Sequence, residues 1–281
     1  MPYCSMGETL KYVRDSQAAI AACNVHNLEF TQATVRAAEE MRAPIILMLS
    51  EPTLKYAEFE QITRICLWEA EHASVPVAIA LDHGKDDTII KRCIKAGLSI
   101  MYDGSELPLQ ENISRTNLYL QLTKAAGLSL EGEVGALGSE FMGEEDLKQV
   151  YTNVEQAIKF AQECEIDALA ISIGNMHGLY KRPPVFDIER LQAIALSVHC
   201  PIVLHGGSNV PDEQIVLARN NGAKKCNFGT DLRYAFFSTL AKEIETDTTQ
   251  YKPFGILGAA RNAVTEIVKE KIRVCGSDGI V

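Results

Sequence analysis

A short apolar run, a polar or glycine break, and then a helical pattern recur eight times along the chain. The runs are Ala18–Cys23, Pro44–Leu49, Val77–Leu81, Ser99–Tyr102, Leu128–Leu130, Ala168–Ile173, Pro201–Leu204 and Lys225–Phe228. Most are continuous rather than alternating, as in strands covered on both faces. The helices between them carry readable ends. Asp86 caps a segment whose stripe is Ile89, Ile90, Cys93 and Ile94, and Gly97 stops it. Pro211 opens another near its first turn, which Gly222 ends, and Asp187–Val198 and Asp231–Glu245 read the same way. Eight βα units over roughly 250 residues predict one α/β domain across residues 1–281, a (β/α)8 barrel, rather than an open doubly wound sheet. No dinucleotide glycine fingerprint follows the first run. Ala259–Lys271 reads as one helix beyond the eight units.

Composition limits the partners. The 281 residues hold 27 Lys+Arg against 37 Asp+Glu, a net charge of −10. Nucleic-acid binding through the phosphate backbone needs a basic face and is not expected. No run of ~18 apolar residues predicts a membrane span, and the first residues carry no apolar signal core, so a cytoplasmic protein is expected. The eight cysteines are scattered without a C-x-x-C pair and read as buried free thiols.

Three of the six histidines share a setting: Leu81-Asp82-His83-Gly84, Asn175-Met176-His177-Gly178 and Leu204-His205-Gly206-Gly207. Each follows an apolar run and precedes a glycine, which puts them at the C-terminal ends of strands three, six and seven. Those ends converge on the barrel mouth, where barrel active sites lie. One such histidine is ordinarily structural; three in one setting, with a fourth position open, is a catalytic zinc pattern. His72 and His199 read as surface residues. His26 follows the first strand with no partner in sequence.

Asp82 neighbours His83 but should face the other way, since adjacent strand residues alternate. It suits either a partner of a metal ligand or a general acid/base beside substrate. Asp103 ends the fourth strand and either orients a metal histidine or makes the turn before Gly104. Gly206-Gly207-Ser208 and Asn227-Phe228-Gly229-Thr230-Asp231 are glycine turns after strands seven and eight, the usual barrel place for phosphate. The long segment from Glu133 to Thr152 reads as a lid with Gly135, Gly138 and Gly143 as hinges. Its acids Glu140, Glu144, Glu145 and Asp146 are either a solvated face or the source of a base.

These residues resemble a known family. Pro76–Gly84, Tyr102–Ser105 with Glu111-Asn112-Ile113, Gly132–Gly135, Ser172–Gly178 and Val203–Ser208 run in the order found in class II, zinc-dependent ketose-bisphosphate aldolases, and the similarity continues to Val268–Lys271 and Gly276-Ser277. The resemblance implies a barrel that reversibly cleaves a ketose 1-phosphate or 1,6-bisphosphate of fructose or tagatose type to dihydroxyacetone phosphate and an aldehyde. It implies that His83, His177 and His205 hold Zn2+ or another divalent ion, with Glu133 approaching the metal when it shifts. By the same likeness Asp82 exchanges the proton of the C4 hydroxyl. Gly178, Gly206, Gly207, Ser208 and Asn227 through Thr230, hence also Phe228 and Gly229, bind dihydroxyacetone phosphate, in some members with a monovalent cation. A lid glutamate, one of Glu140, Glu144 and Glu145, exchanges the C3 proton. Arg261 resembles an arginine that reaches a neighbouring subunit's distal phosphate, implying a homo-oligomer, a dimer or tetramer.

The chain departs from the common pattern at Ala80, Met176, Phe228-Gly229, His26 and along the lid, which leaves the aldehyde open, including a non-standard sugar phosphate. Two other readings are weaker. Metal-dependent hydrolases on this fold carry His-x-His after strand one and Asp after strand eight, where this chain has Asn24-Val25-His26 and Asn227. A non-catalytic barrel would have no use for Asp82 and the three histidines together.

Overall fold

The computed structural model describes residues 3–135, 138–139, 150–178, 180, 183–246, 249 and 252–281. Eight parallel strands close into a barrel: β1 Ile20–Asn24, β2 Ile45–Ser50, β3 Val77–Gly84, β4 Ser99–Tyr102, β5 Leu130–Val134, β6 Ala168–Ile171, β7 Ile202–Leu204 and β8 Ala223–Phe228. Each strand pairs with its neighbours in sequence, and β1 pairs with β8 from Ile20↔Lys225 to Cys23↔Phe228. A two-residue pairing of Gly138–Ser139 with Met176–His177 stands outside the barrel.

Alternation along the strands separates two cores. Ala21, Cys23, Leu47, Ile79, Leu169 and Phe228 face outward into the layer shared with the helices. Ile20, Ala22, Ile46, Met48, Ala78, Ala80, Ala170 and Val203 face inward, and Met6, Leu10 and Val13 close the N-terminal end. Continuing those inward rows toward the C-terminal rim gives Asn24, Ser50 and Asp82. The interior thus turns from apolar to polar within one strand step.

Asp86 caps the helix Asp87–Lys95 by accepting from the Thr88 and Ile89 amides. Pro211 sits at the N-cap of Asp212–Asn220, one step earlier than expected. The closing helix runs over Pro253–Cys275, longer than its apolar stripe suggested, and packs on Leu28–Met41 and Thr230–Thr246. The fifth strand is the main correction. It is Leu130–Val134, not Leu128–Leu130, because two buried acids, Glu131 and Glu133, interrupt the apolar run that marks the other strands. No described helix is long and apolar enough to cross a membrane. All eight cysteines are free.

Candidate active site

The inward rows end in a cavity of about 260 Å³ lined by Asn24, His26, Ser50, Asp82, His83 and His177 together with His205, Ser208, Asn227, Thr230 and Arg233. His83, His177 and His205 each offer a ring nitrogen within 4.8 Å of the others. The ring centroids of His83 lie 4.8 Å from His177 and 4.6 Å from His205.

Each element places its histidine differently. β3 reaches the rim with Asp82 and His83 in succession, and both line the cavity, contrary to the alternation expected of them. The reason is local: His83 takes a left-handed φ of 48°, and the β3–β4 register shifts between Leu81 and Gly84. His177 lies beyond β6 and is exposed at the rim. Its segment is pinned by buried Asn175, whose amide donates to the Ile171 and His205 carbonyls and accepts from Ile173 N–H. Tyr180 completes the link, accepting from Met176 N–H and donating to the Gly206 carbonyl. At Gly206, φ is +66° and a Cβ would stand 2.1 Å from the Met176 carbonyl oxygen, so only glycine passes there.

Second partners fix the free nitrogens. Asp103 accepts from His83 Nδ1 at 3.0 Å, and also from the Ser105 amide and hydroxyl, so one carboxylate contacts the His83 ring and shapes the turn. Glu131 accepts from His205 Nε2 at 2.8 Å. With those nitrogens committed, His83 Nε2 and His205 Nδ1 remain, 2.9 Å apart. Two lone pairs at that separation need a cation or a proton between them. This donor chemistry fits a divalent ion held by three imidazoles. A second cluster, His83 with Asp103 and Glu133, shares the nitrogen that Asp103 already occupies and suits a metal less well.

Charges follow the same logic. Burial opposes a charge on His83, but the Asp103 bond and the nearby Asp82 and Glu133 carboxylates outweigh it and raise its pKa to about 9. Desolvation and the neighbouring His83 and His205 rings hold His177 down to about 4. Glu133 is fully buried, which with the Asp103, Glu131 and Asp82 charges pushes its carboxyl up to about 8. Its Oε2 lies 3.6 Å from His83 Nδ1 without a hydrogen bond. Asp82 is also buried, but His83, His205, the Asn24 amide and Lys225 together overcome desolvation and lower its pKa. Asn24 Nδ2 donates to Asp82 Oδ2 at 2.7 Å, and Asp82 Oδ1 has no partner among the described residues.

Beneath His205 lies a pair that sequence reading missed. Lys225 and Glu131 are both 0% exposed, with Nζ 2.7 Å from Oε2. The chain Lys225–Glu131–His205 keeps the proton on His205 Nε2 and points Nδ1 at the cavity. Removing one partner of such a pair costs about 3–5 kcal/mol, because the other charge is left buried alone.

The phosphate candidates are placed less uniformly. Gly178, Gly206, Ser208, Asn227, Gly229 and Thr230 line the cavity. Ser208 Oγ accepts from the amides of Gly229 at 3.0 Å and Asp231 at 3.3 Å, joining the two loops. Asn227 Nδ2 lies 3.2 Å from His205 Nδ1. Phe228 is a correction: alternation turns its fully buried ring outward against Gly207, so its side chain does not line the cavity. Gly207 does not line it either. Arg261 donates to Gln32 Oε1 at 2.7 Å on the helical layer, away from its own chain's cavity. Arg233, absent from the sequence reading, lines the mouth and donates to Thr230 Oγ1 at 3.0 Å. Glu140, Glu144, Glu145 and the rest of the lid from Glu140 to Gln149 lie outside the described residues.

A family model described as fructose-bisphosphate aldolase class-II matches residues 4–280. A sulfofructosephosphate aldolase of Alkalicoccus urumqiensis is 34% identical over 282 residues, covering 99% of this chain and 98% of its own. The D-tagatose-1,6-bisphosphate aldolase subunit GatY of Klebsiella oxytoca is 36% identical over 264 residues, 93% of each chain. Among solved structures, the YdjI aldolase of Escherichia coli K12 superposes with a TM-score of 0.85 at 28% identity, covering 99% of this chain and 98% of that one.

Proposed function

The chain belongs to the class-II fructose-bisphosphate aldolases, metal-dependent lyases that act on sugar phosphates, and from that premise we propose that it is a zinc enzyme. Its reaction is reversible cleavage of a ketose 1-phosphate or 1,6-bisphosphate of fructose or tagatose type to dihydroxyacetone phosphate and an aldehyde. The observation that carries this is the paired commitment of His83 to Asp103 and His205 to Glu131, which leaves two ring nitrogens facing each other at 2.9 Å beside His177. His83, His177 and His205 would hold the ion, with Glu133 as a carboxylate able to approach it. When bound, a divalent ion supplies Lewis-acid stabilisation of the negative charge that cleavage leaves on the three-carbon half.

The protein's own groups do the rest. Asp82 is held ionised at neutral pH and oriented by Asn24, so its free Oδ1 takes the C4 hydroxyl proton in cleavage and returns it in condensation. The Asn227 amide donates toward the developing oxyanion. Gly178, the Gly206–Ser208 turn and the Gly229–Thr230 helix start bind the phosphate. Ser208 accepts two amides and keeps its hydroxyl proton to donate. One of Glu140, Glu144 and Glu145 exchanges the C3 proton. A monovalent cation at the phosphate end belongs to the same reading.

Retro-aldol assay tests the proposal. Release of dihydroxyacetone phosphate from a panel of ketose phosphates is expected, lost on chelation and regained with added zinc. Release that survives full metal removal would reject the metal role, and no release from any ketose phosphate would reject the activity.

We place the enzyme in the cytoplasm, where its eight free thiols stay reduced, and propose a homo-oligomer. Large apolar side chains support the latter: Tyr234 is 73% and Phe254 79% exposed on packed helices. If Arg261 serves a partner's site, mixing Arg261→Ala with Asp82→Ala subunits regains part of the activity that each lacks. Subunit exchange without any regain would count against sharing.

A further inference from the structure

Past Asp82, on the β1–β2 side of the cavity, the wall is made by His26, Ser50 and Arg233. His26 is held from several directions. The next residue, Asn27, caps the helix Leu28–Met41. His26 Nδ1 is 2.8 Å from Thr53 Oγ1, which itself lies 3.1 Å from Ser50 Oγ. The ring stands edge-on to Phe30, 5.2 Å between centroids at 80°. Its other nitrogen, Nε2, is buried and has no hydrogen-bond partner among the described residues. Burial, with the positive charge of Arg233 nearby, holds the imidazole down to about 4, so it is neutral near pH 7.

A locked, neutral ring with one nitrogen already on a hydroxyl leaves a single polar atom of the cavity wall without a partner among the described residues. That atom is costly to bury unless a ligand group answers it. On the reading of the site given above, the phosphate end lies over Ser208 and Thr230 and the C4 hydroxyl meets Asp82. The carbons that leave as the aldehyde then start from Asp82, whose charge acts on His26 in the same cavity wall.

We infer that His26 is a specificity-determining residue: its Nε2 hydrogen-bonds the terminal oxygen of the aldehyde half and disfavours aldehydes that end in a methyl group. This rests on the proposed aldolase reaction. A site built to hydrogen-bond a substrate oxygen discriminates strongly against an analogue that lacks it, because the protein group is then left unpaired.

The test is condensation of dihydroxyacetone phosphate with D-glyceraldehyde and with lactaldehyde, which differ only by the terminal hydroxyl. The unaltered enzyme should favour glyceraldehyde by on the order of 10–100-fold in kcat/KM. In His26→Leu the preference should fall to within about threefold of unity, through loss on glyceraldehyde and relief of the penalty on lactaldehyde, and His26→Gln should restore part of it. If His26→Leu folds poorly, His26→Gln alone decides, since a ratio identical to that of the unaltered enzyme would overturn the inference. Exchange of the C3 proton of dihydroxyacetone phosphate with solvent involves no aldehyde and is followed in parallel. Exchange in the unaltered enzyme with an aldehyde preference that His26→Leu leaves intact overturns the role of His26 alone. Absence of both exchange and condensation in the unaltered enzyme overturns the aldolase reading, and the role of His26 with it.

Discussion

Asp82→Ala is expected to slow carbon–carbon cleavage by about 10²–10⁴-fold, the usual contribution of a positioned acid/base, while dihydroxyacetone phosphate still exchanges its C3 proton. The carboxylate is 8% exposed, is fixed through Oδ2 by Asn24 and lines the cavity with Oδ1 left without a partner among the described residues. It is not bonded to any of the three histidines; the nearest approach is 3.9 Å, from Oδ1 to His205 Nδ1. Its loss should therefore leave the metal content close to one ion per chain. The split between cleavage and exchange is the informative quantity, since a merely destabilised site would lose both. Turnover near that of the unaltered enzyme would reject Asp82 as the proton carrier.

His205→Ala should lose metal and activity together, by on the order of 10³-fold or more in turnover, since Lewis-acid stabilisation is worth several kcal/mol. His205 is 1% exposed and joins three things at once: the ring nitrogen of His83, the Asn227 amide and the Glu131 carboxylate. The substitution leaves the Lys225–Glu131 pair intact but removes the imidazole above it, so the fold should survive with a lowered midpoint. Metal per chain after dialysis, read by emission spectroscopy, is the direct check. Full occupancy in this variant would refute the ligand role.

Much of this architecture is legible in the residue string because barrel strands are buried on both faces. Pro44–Leu49 and Val77–Leu81 announce themselves as unbroken apolar runs, and the glycines after His83, His177 and His205 mark the rim. What escapes reading is polarity inside the barrel. Glu131 and Lys225 look like solvated positions, yet they satisfy each other and His205 across strands that are distant in sequence. The left-handed φ of His83 leaves no mark in Leu-Asp-His-Gly, so Asp82 and His83 are read as opposed when they share one wall. Asn175 and Tyr180 do their work through backbone carbonyls, which no residue pattern encodes. Arg233 sits in an ordinary helical stripe, and only the closure of β8 against β1 brings it to the mouth beside His26.

The ion pair under His205 also constrains how such a protein can drift over generations. A neutral residue at either position strands the opposite charge in a dry interior, so the two sites, 94 positions apart in the chain, are expected to change in concert or not at all. Descendants that had traded both for apolar side chains could keep a well-filled barrel, yet the imidazole above would lose its anchor and be free to take its other tautomer. Inheritance of the two together should therefore track the retention of chemistry rather than of shape.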